Sequence, residues 1–227
     1  MNPIHHFFRS ILEFIFPPFC ITCDERLEQD SVLVCRLCWN SLRRVHGAVH
    51  DGVIEYDYID EIRSGAYYDQ KLQTLIHHFK YNRALALAEG FSIILSDVLS
   101  GNPDWLNADI LIPVPLHKIK YRERTYNQSE EIAKALSGKV AIPCRADVLL
   151  RGINTVSQTK MDGAQERVKN MADAFTVVDA ERIKGKKVIL VDDLITTGST
   201  ANACARVLKE HGAKTVYVLT VGRPFFD

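Results

Sequence analysis

The residues best placed to do chemistry lie in "VILVDDLITTGST", positions 188–200. An apolar run ends in two adjacent carboxylates, Asp192 and Asp193. Leu194, Ile195, Thr196, Thr197, Gly198, Ser199 and Thr200 follow, and a helical pattern begins. Carboxylates at the end of a buried strand can accept hydrogen bonds from neighbouring hydroxyls of a ligand. The turn after them sets backbone N–H groups and small hydroxyls at a helix N-terminus, where partial positive charge favours an anion, phosphate above all. Gly198 permits close approach of the backbone. A diol on the acids and a phosphate in the turn together describe a ribose 5-phosphate. A plain helix cap would need only one acid and one threonine.

A second group stands in "IPVPLHKIKYRER". Lys118, Lys120, Arg122 and Arg124 gather just after another apolar strand. Alone they read as a solvated basic loop. Beside the acid pair and the phosphate turn they supply the positive charge that a pyrophosphate needs.

The third group is four cysteines, Cys20-x2-Cys23 and Cys35-x2-Cys38, separated by eleven residues. Each pair can bend into a knuckle that offers two thiolates, and two knuckles complete a tetrahedral zinc site. Two disulfides or four free thiols are the alternatives, and disulfides fit poorly with a reducing compartment. Such a site is closed, so its metal is structural. About 40 residues bury little core, and metal binding would supply the folding energy instead. Arg36, Arg43, Arg44 and Trp39 give this module a face that could meet nucleic acid or protein. Cys144 and Cys204 read as small buried apolar residues.

These groups must be positioned by a body that is α/β in pattern. "DEIRSGAYYD" reads as a strand, and "QKLQTLIHHFKY" as a helix with Leu72, Leu75, Ile76 and Phe79 at helical spacing. "ALALAEGFSIILSDVLS" is a second helix and "ADILIPVP" a strand. "NQSEEIAKALSG" is a helix that Gly138 is expected to stop. "KKVILVDD", "GSTANACARVLKEHG" and "KTVYVLTVGR" form a closing βαβ unit, the helix ending at Gly212. The alternation predicts a parallel sheet covered on both faces, with ligands beyond the carboxyl ends of its strands. The change of pattern falls between Gly47 and Val53, giving a module over 1–50 and a main domain over 51–227.

Composition narrows the classes. The 227 residues carry 28 basic and 28 acidic side chains, so any nucleic-acid or membrane contact must come from a local patch. No apolar run reaches the roughly 18 residues of a membrane span. The segment around Ile11–Phe16 is greasy, but it contains Glu13 and lacks a signal-peptide layout. It reads as an amphipathic helix packed on the body, and the protein as cytoplasmic.

Val191–Thr200 resembles the phosphoribosyl pyrophosphate (PRPP) motif of type I phosphoribosyltransferases. "LIPVPLHKIKYRERTYNQSEEIAKAL", "RGINTVSQTKMDGAQERVKNMADAF" and the cysteine module followed by "HHFKYNRALALA" are similar to the ComF family. The resemblance covers nearly the whole chain. Family members read Arg-Gly-Phe-Asn-Gln-Ser where this chain has Arg124-Thr125-Tyr126-Asn127-Gln128-Ser129, so Thr125 stands at a glycine's place.

The resemblance implies a type I phosphoribosyltransferase-like parallel sheet flanked by helices, with a small N-terminal four-cysteine zinc module. It assigns the ribose hydroxyls to Asp192 and Asp193, and the 5-phosphate to the turn ending at Thr200. It places pyrophosphate at Leu116, His117 and Lys118, and a flap over residues 151–167 with Arg151, Gln158 and Arg167. Lys80 and Tyr81 are further candidates. A catalytic member would displace pyrophosphate at ribose C1 with a nitrogen nucleophile, using Mg²⁺, on an acceptor that no motif identifies. The family link to natural transformation implies DNA-uptake machinery as partners. It leaves open a non-catalytic factor that binds single-stranded DNA through the zinc module and the basic loops. It also leaves open a zinc module that only docks to a protein.

Overall fold

Strand β5 (Lys187–Leu194) shows how the sequence builds the sheet. Val188 and Leu190 face one apolar cluster, and Ile189 and Val191 face another. Successive side chains on a strand point to opposite faces, so this unbroken apolar run must be covered on both sides. The computed structural model describes residues 17–28, 31–47, 56–152 and 174–225.

Four parallel strands form the sheet in the order β1-β6-β5-β2, with β1 at Glu61–Tyr67, β2 at Ile110–Pro113 and β6 at Thr215–Arg223. The crossovers put helices on both faces. On one side pack α2 (Gln70–Tyr81), α3 (Leu87–Ser100) and α6 (Gln128–Val140). On the other packs α7 (Ser199–Glu210), with a short antiparallel pair of β3 (Leu149–Arg151) and β4 (Phe175–Val177). The expected parallel sheet with two covered faces is what forms. Among the described residues no helix is long and apolar enough to cross a membrane.

Helix α2 starts where Asp69 accepts a hydrogen bond from the Leu72 N–H (3.0 Å), and it buries the four apolar residues that its spacing singled out. Helix α6 departs from expectation at its end. Gly138 lies inside it, and the chain leaves the helix at Ala141, with φ +56°. The Ser137 hydroxyl donates to the Ile142 carbonyl (2.7 Å), and buried Ile142 anchors the reversal three residues later than a glycine stop would. The basic stretch is likewise no loop: Lys118–Arg124 forms helix α5, following the four-residue α4 (Pro103–Leu106). Strands β3 and β4 are too short for a period to register in sequence.

The cysteine module carries its own short helix, α1 (Arg36–Asn40). It shares the apolar cluster of α2 and α3 rather than standing apart. Trp39 meets Phe91 of α3 edge-on at 5.7 Å. Residues 43–45 continue onto the free edge of β1, where Tyr67 N–H donates to the Arg43 carbonyl (2.8 Å) and Val45 N–H to the Gly65 carbonyl (3.2 Å). The N-terminal segment through residue 16, most of the stretch 47–53, and Gln158 and Arg167 of the flap lie outside the described residues.

Candidate functional site

Asp192 and Asp193 sit at the carboxyl end of β5, and alternation sends them different ways. Asp192 accepts from the Ser129 hydroxyl (2.8 Å) and from the Asp193 N–H (2.9 Å). Burial and the neighbouring Asp193 push its carboxyl up to about 7, against the pull of Ser129, the Asp193 N–H and Lys80. Asp193 is buried and pairs with the Lys80 ammonium at 2.8 Å. Ser129 is in place because Asn127 caps α6: its side-chain oxygen accepts from Ser129 N–H (3.2 Å), and its amide donates to the Val114 carbonyl (3.1 Å). That one asparagine ties the Pro-Val-Pro loop, the helix and the acid pair together.

A cavity of about 150 Å³ opens over these groups. Asp192, Asp193 and Thr200 line one side of it, with Pro115, Leu116 and four cations, Lys80, Lys120, Arg124 and Arg151, around the rest. Arg124 gives one guanidinium nitrogen to Gln128 (2.9 Å) and lies over the Tyr81 ring at 5.2 Å. Its buried Nε has no hydrogen-bond partner among the described residues. Gly198, with φ +66°, begins α7, where the Ser199 N–H makes a long bond to the Thr197 hydroxyl (3.5 Å). The exposed hydroxyls of Thr197 and Ser199 bond each other at 2.9 Å.

The sequence-derived residues divide between this cavity and its surroundings. Lys118 and Arg122 line a neighbouring groove of about 360 Å³, which shares Pro115, Leu116 and Arg151 with the cavity. His117 caps α5, its Nδ1 accepting from the Ile119 N–H (3.3 Å). Ile195 is buried under the turn, its N–H bonded to the Gly222 carbonyl (3.0 Å). Thr196 is exposed. Sequence reasoning missed Ser129 and Tyr56, whose hydroxyl reaches the Thr197 carbonyl (3.3 Å). The Asn-Gln-Ser of the family pattern was a signal for Ser129. Tyr56 lies in no motif.

The sulfur atoms of Cys20, Cys23, Cys35 and Cys38 all lie within 4.8 Å of one another. A tetrahedral zinc with Zn–S near 2.3 Å separates its sulfurs by about 3.8 Å, and Cys23 and Cys35 stand at 3.8 Å. Burial opposes ionisation of Cys20, but backbone N–H groups led by Cys35 hold its thiol down to about 6. Four soft donors at tetrahedral spacing fit zinc.

A phosphoribosyl transferase domain model matches residues 127–223. Competence protein F of Haemophilus influenzae is 30% identical over 162 residues, covering 69% of this chain and 70% of that protein. Competence protein ComFC of Bacillus subtilis is 26% identical over 200 residues, covering 85% of this chain and 78% of that one. Among solved structures, a glutamine PRPP amidotransferase from B. subtilis, complexed with ADP and GMP, aligns with 60% of this chain and 26% of its own, at TM-score 0.43 and 19% identity. With its phosphoribosyl transferase domain, its cysteine module and these relatives, the chain belongs to the ComF family of competence proteins.

Proposed function

We propose that the protein binds PRPP with Mg²⁺ and serves DNA handling in natural transformation, either by phosphoribosyl transfer to an unidentified nitrogen acceptor or by using the ligand as a signal. The observation that carries this reading is the convergence of two acids, four cations and Thr200, in the first turn of α7, on one cavity. Asp192 and Asp193 would hold the ribose diol. The turn 196–200 would take the 5-phosphate. Lys80, Lys120, Arg124 and Arg151 would surround the pyrophosphate and stabilise charge as it departs. Mg²⁺, bound by ligand phosphates near the acid pair, would supply further stabilisation of the leaving group. The four cysteines would hold a structural zinc, and paired free thiols suit a cytoplasmic setting.

Calorimetric titration with PRPP and Mg²⁺ tests this reading, beside a variant carrying Asp192→Asn and Asp193→Asn. Saturable binding lost in the variant supports it; no binding by folded, zinc-loaded protein sinks it.

A second reading, single-stranded DNA binding, draws on α5. Its Lys118, Lys120 and Arg122 are exposed alongside Ile119 and Tyr121, at 60% and 50% exposure. Basic side chains with an open aromatic ring suit backbone contact and base stacking. DNA affinity would then fall steeply with salt, and a flat response would count against it.

A further inference from the structure

The turn between β5 and α7 draws part of its support from outside itself. Gly198 sits at φ +66° and, as the N-cap, has no side chain to offer the helix that follows. Inside the turn the Thr197 hydroxyl bonds the exposed Ser199 hydroxyl (2.9 Å) and accepts a long bond from the Ser199 N–H (3.5 Å). What grips the turn comes from far away in sequence. Residues 56–60 run as a strap beside α7. At one end the Tyr56 hydroxyl donates to the Thr197 carbonyl (3.3 Å). Midway, Tyr58 N–H donates to the Asn202 side chain (3.4 Å). At the far end Asp60 accepts from Val216 N–H and from Lys209, both at 2.7 Å.

The geometry at Gly198 is specific to this grip. A Cβ at that position would overlap the Tyr56 hydroxyl and two ring carbons. The glycine is therefore required twice, once for its backbone angle and once to seat the tyrosine. A trans peptide carries its C=O and N–H on opposite sides. Tying down the Thr197 carbonyl from outside turns the Gly198 N–H to the other side, into the turn.

We infer that Tyr56 is a positioning residue for phosphate recognition: it fixes the Thr197–Gly198 peptide, so that affinity for a 5-phosphate depends on a side chain outside the motif. This rests on the phosphoribosyl reading of the pocket. In this role Tyr56 acts through the Thr197–Gly198 peptide. The pyrophosphate side of the cavity, with Lys120 and Arg124, is independent of it.

The test compares wild type, Tyr56→Phe and Tyr56→Ala. Each is titrated with ribose 5-phosphate and, separately, with pyrophosphate plus Mg²⁺, and amide hydrogen exchange is followed at residues 197–201 without ligand. Tyr56→Ala should weaken ribose 5-phosphate about tenfold, and Tyr56→Phe about threefold, in line with loss of ring plus hydroxyl against hydroxyl alone. Pyrophosphate affinity should be unchanged, and exchange at 197–201 should accelerate in Tyr56→Ala. Unchanged ribose 5-phosphate affinity in Tyr56→Ala overturns the inference and leaves the phosphoribosyl reading standing. Equal loss of both probes also overturns it, because that is general destabilisation. Wild type that binds neither probe removes the phosphoribosyl reading and the inference's ligand role with it.

Discussion

The Lys80 ammonium lies 2.8 Å from an Asp193 carboxylate oxygen, with side-chain exposures of only 18% and 10%. The contact joins the last turn of α2 to the end of β5, next to the cavity that both residues line. Phe79, one residue earlier, is buried against Phe91 and Tyr126 at 5.3 and 5.9 Å. The lysine is thus anchored by the core at its base and by a carboxylate at its tip.

Removing the lysine alone strands a mostly buried carboxylate. Lys80→Met should cost on the order of 3 kcal/mol, and Tm should fall by roughly 6–12 °C. Adding Asp193→Asn removes the stranded charge and should recover more than half of that loss. Affinity for PRPP with Mg²⁺ should drop at least tenfold in Lys80→Met. Additive Tm losses in the double variant would show that the two side chains do not act as a pair.

The raised carboxyl of Asp192 makes stability depend on pH in a definite direction. Its folded value, about 7, lies above the ordinary 3.8. The protonated form is therefore favoured by folding. That stabilisation is fully present below pH 3.8 and is lost as pH rises through 7. Asp192→Asn should raise Tm at pH 8 by a few degrees, leave it nearly unchanged at pH 4, and flatten the profile between. A wild-type profile as flat as the variant's across pH 4–8 would refute the shift.

Thr125 closes α5 at φ +68°, a conformation that β-branched residues rarely adopt. Its hydroxyl donates to the Arg124 carbonyl (2.6 Å), which offsets only part of the strain. Thr125→Gly should therefore gain about 0.5–1 kcal/mol, strain relief exceeding the added freedom of the unfolded chain. Tm should rise by roughly 2 °C. A fall in Tm would mean that the threonine hydroxyl outweighs the backbone strain.

What the sequence disclosed and what it hid follow from range. The four sheet strands were legible as short apolar runs, and the helices α2, α3, α6 and α7 because each buries a periodic set of side chains, as Leu72, Leu75, Ile76 and Phe79 do. The acid pair and the paired cysteines were legible because their chemistry is written in adjacent residues. Ser129 and Tyr56 were hidden because their partners, Asp192 and Thr197, lie 63 and 141 residues away. Helix α5 was hidden because it buries nothing, so no period marks it. The glycine stop at Gly138 failed because buried Ile142 set the end of α6 from tertiary packing.

Trp39 and Gly90 couple the cysteine module to the body, and a single methyl can test that coupling. Gly90 lies inside α3, where glycine normally costs about 1 kcal/mol relative to alanine. Propensity alone says that Gly90→Ala should stabilise. A Cβ there would run into the Trp39 indole, which packs on Phe91 at 5.7 Å. The substitution should instead displace the indole and lower Tm by several degrees. Trp39→Ala should cost stability alone but make Gly90→Ala neutral or favourable in its presence, a coupling that a double-mutant cycle reads directly. Loading the four cysteines with zinc and then stripping it with a chelator should mimic the displacement, red-shifting the emission of Trp39 while Trp105, 1% exposed in the core, stays blue. Because α3 packs Phe91 on Phe79, beside Lys80, the stripped protein should also bind PRPP with Mg²⁺ more weakly. Undiminished affinity after complete zinc loss would confine the module's effect to its own fold.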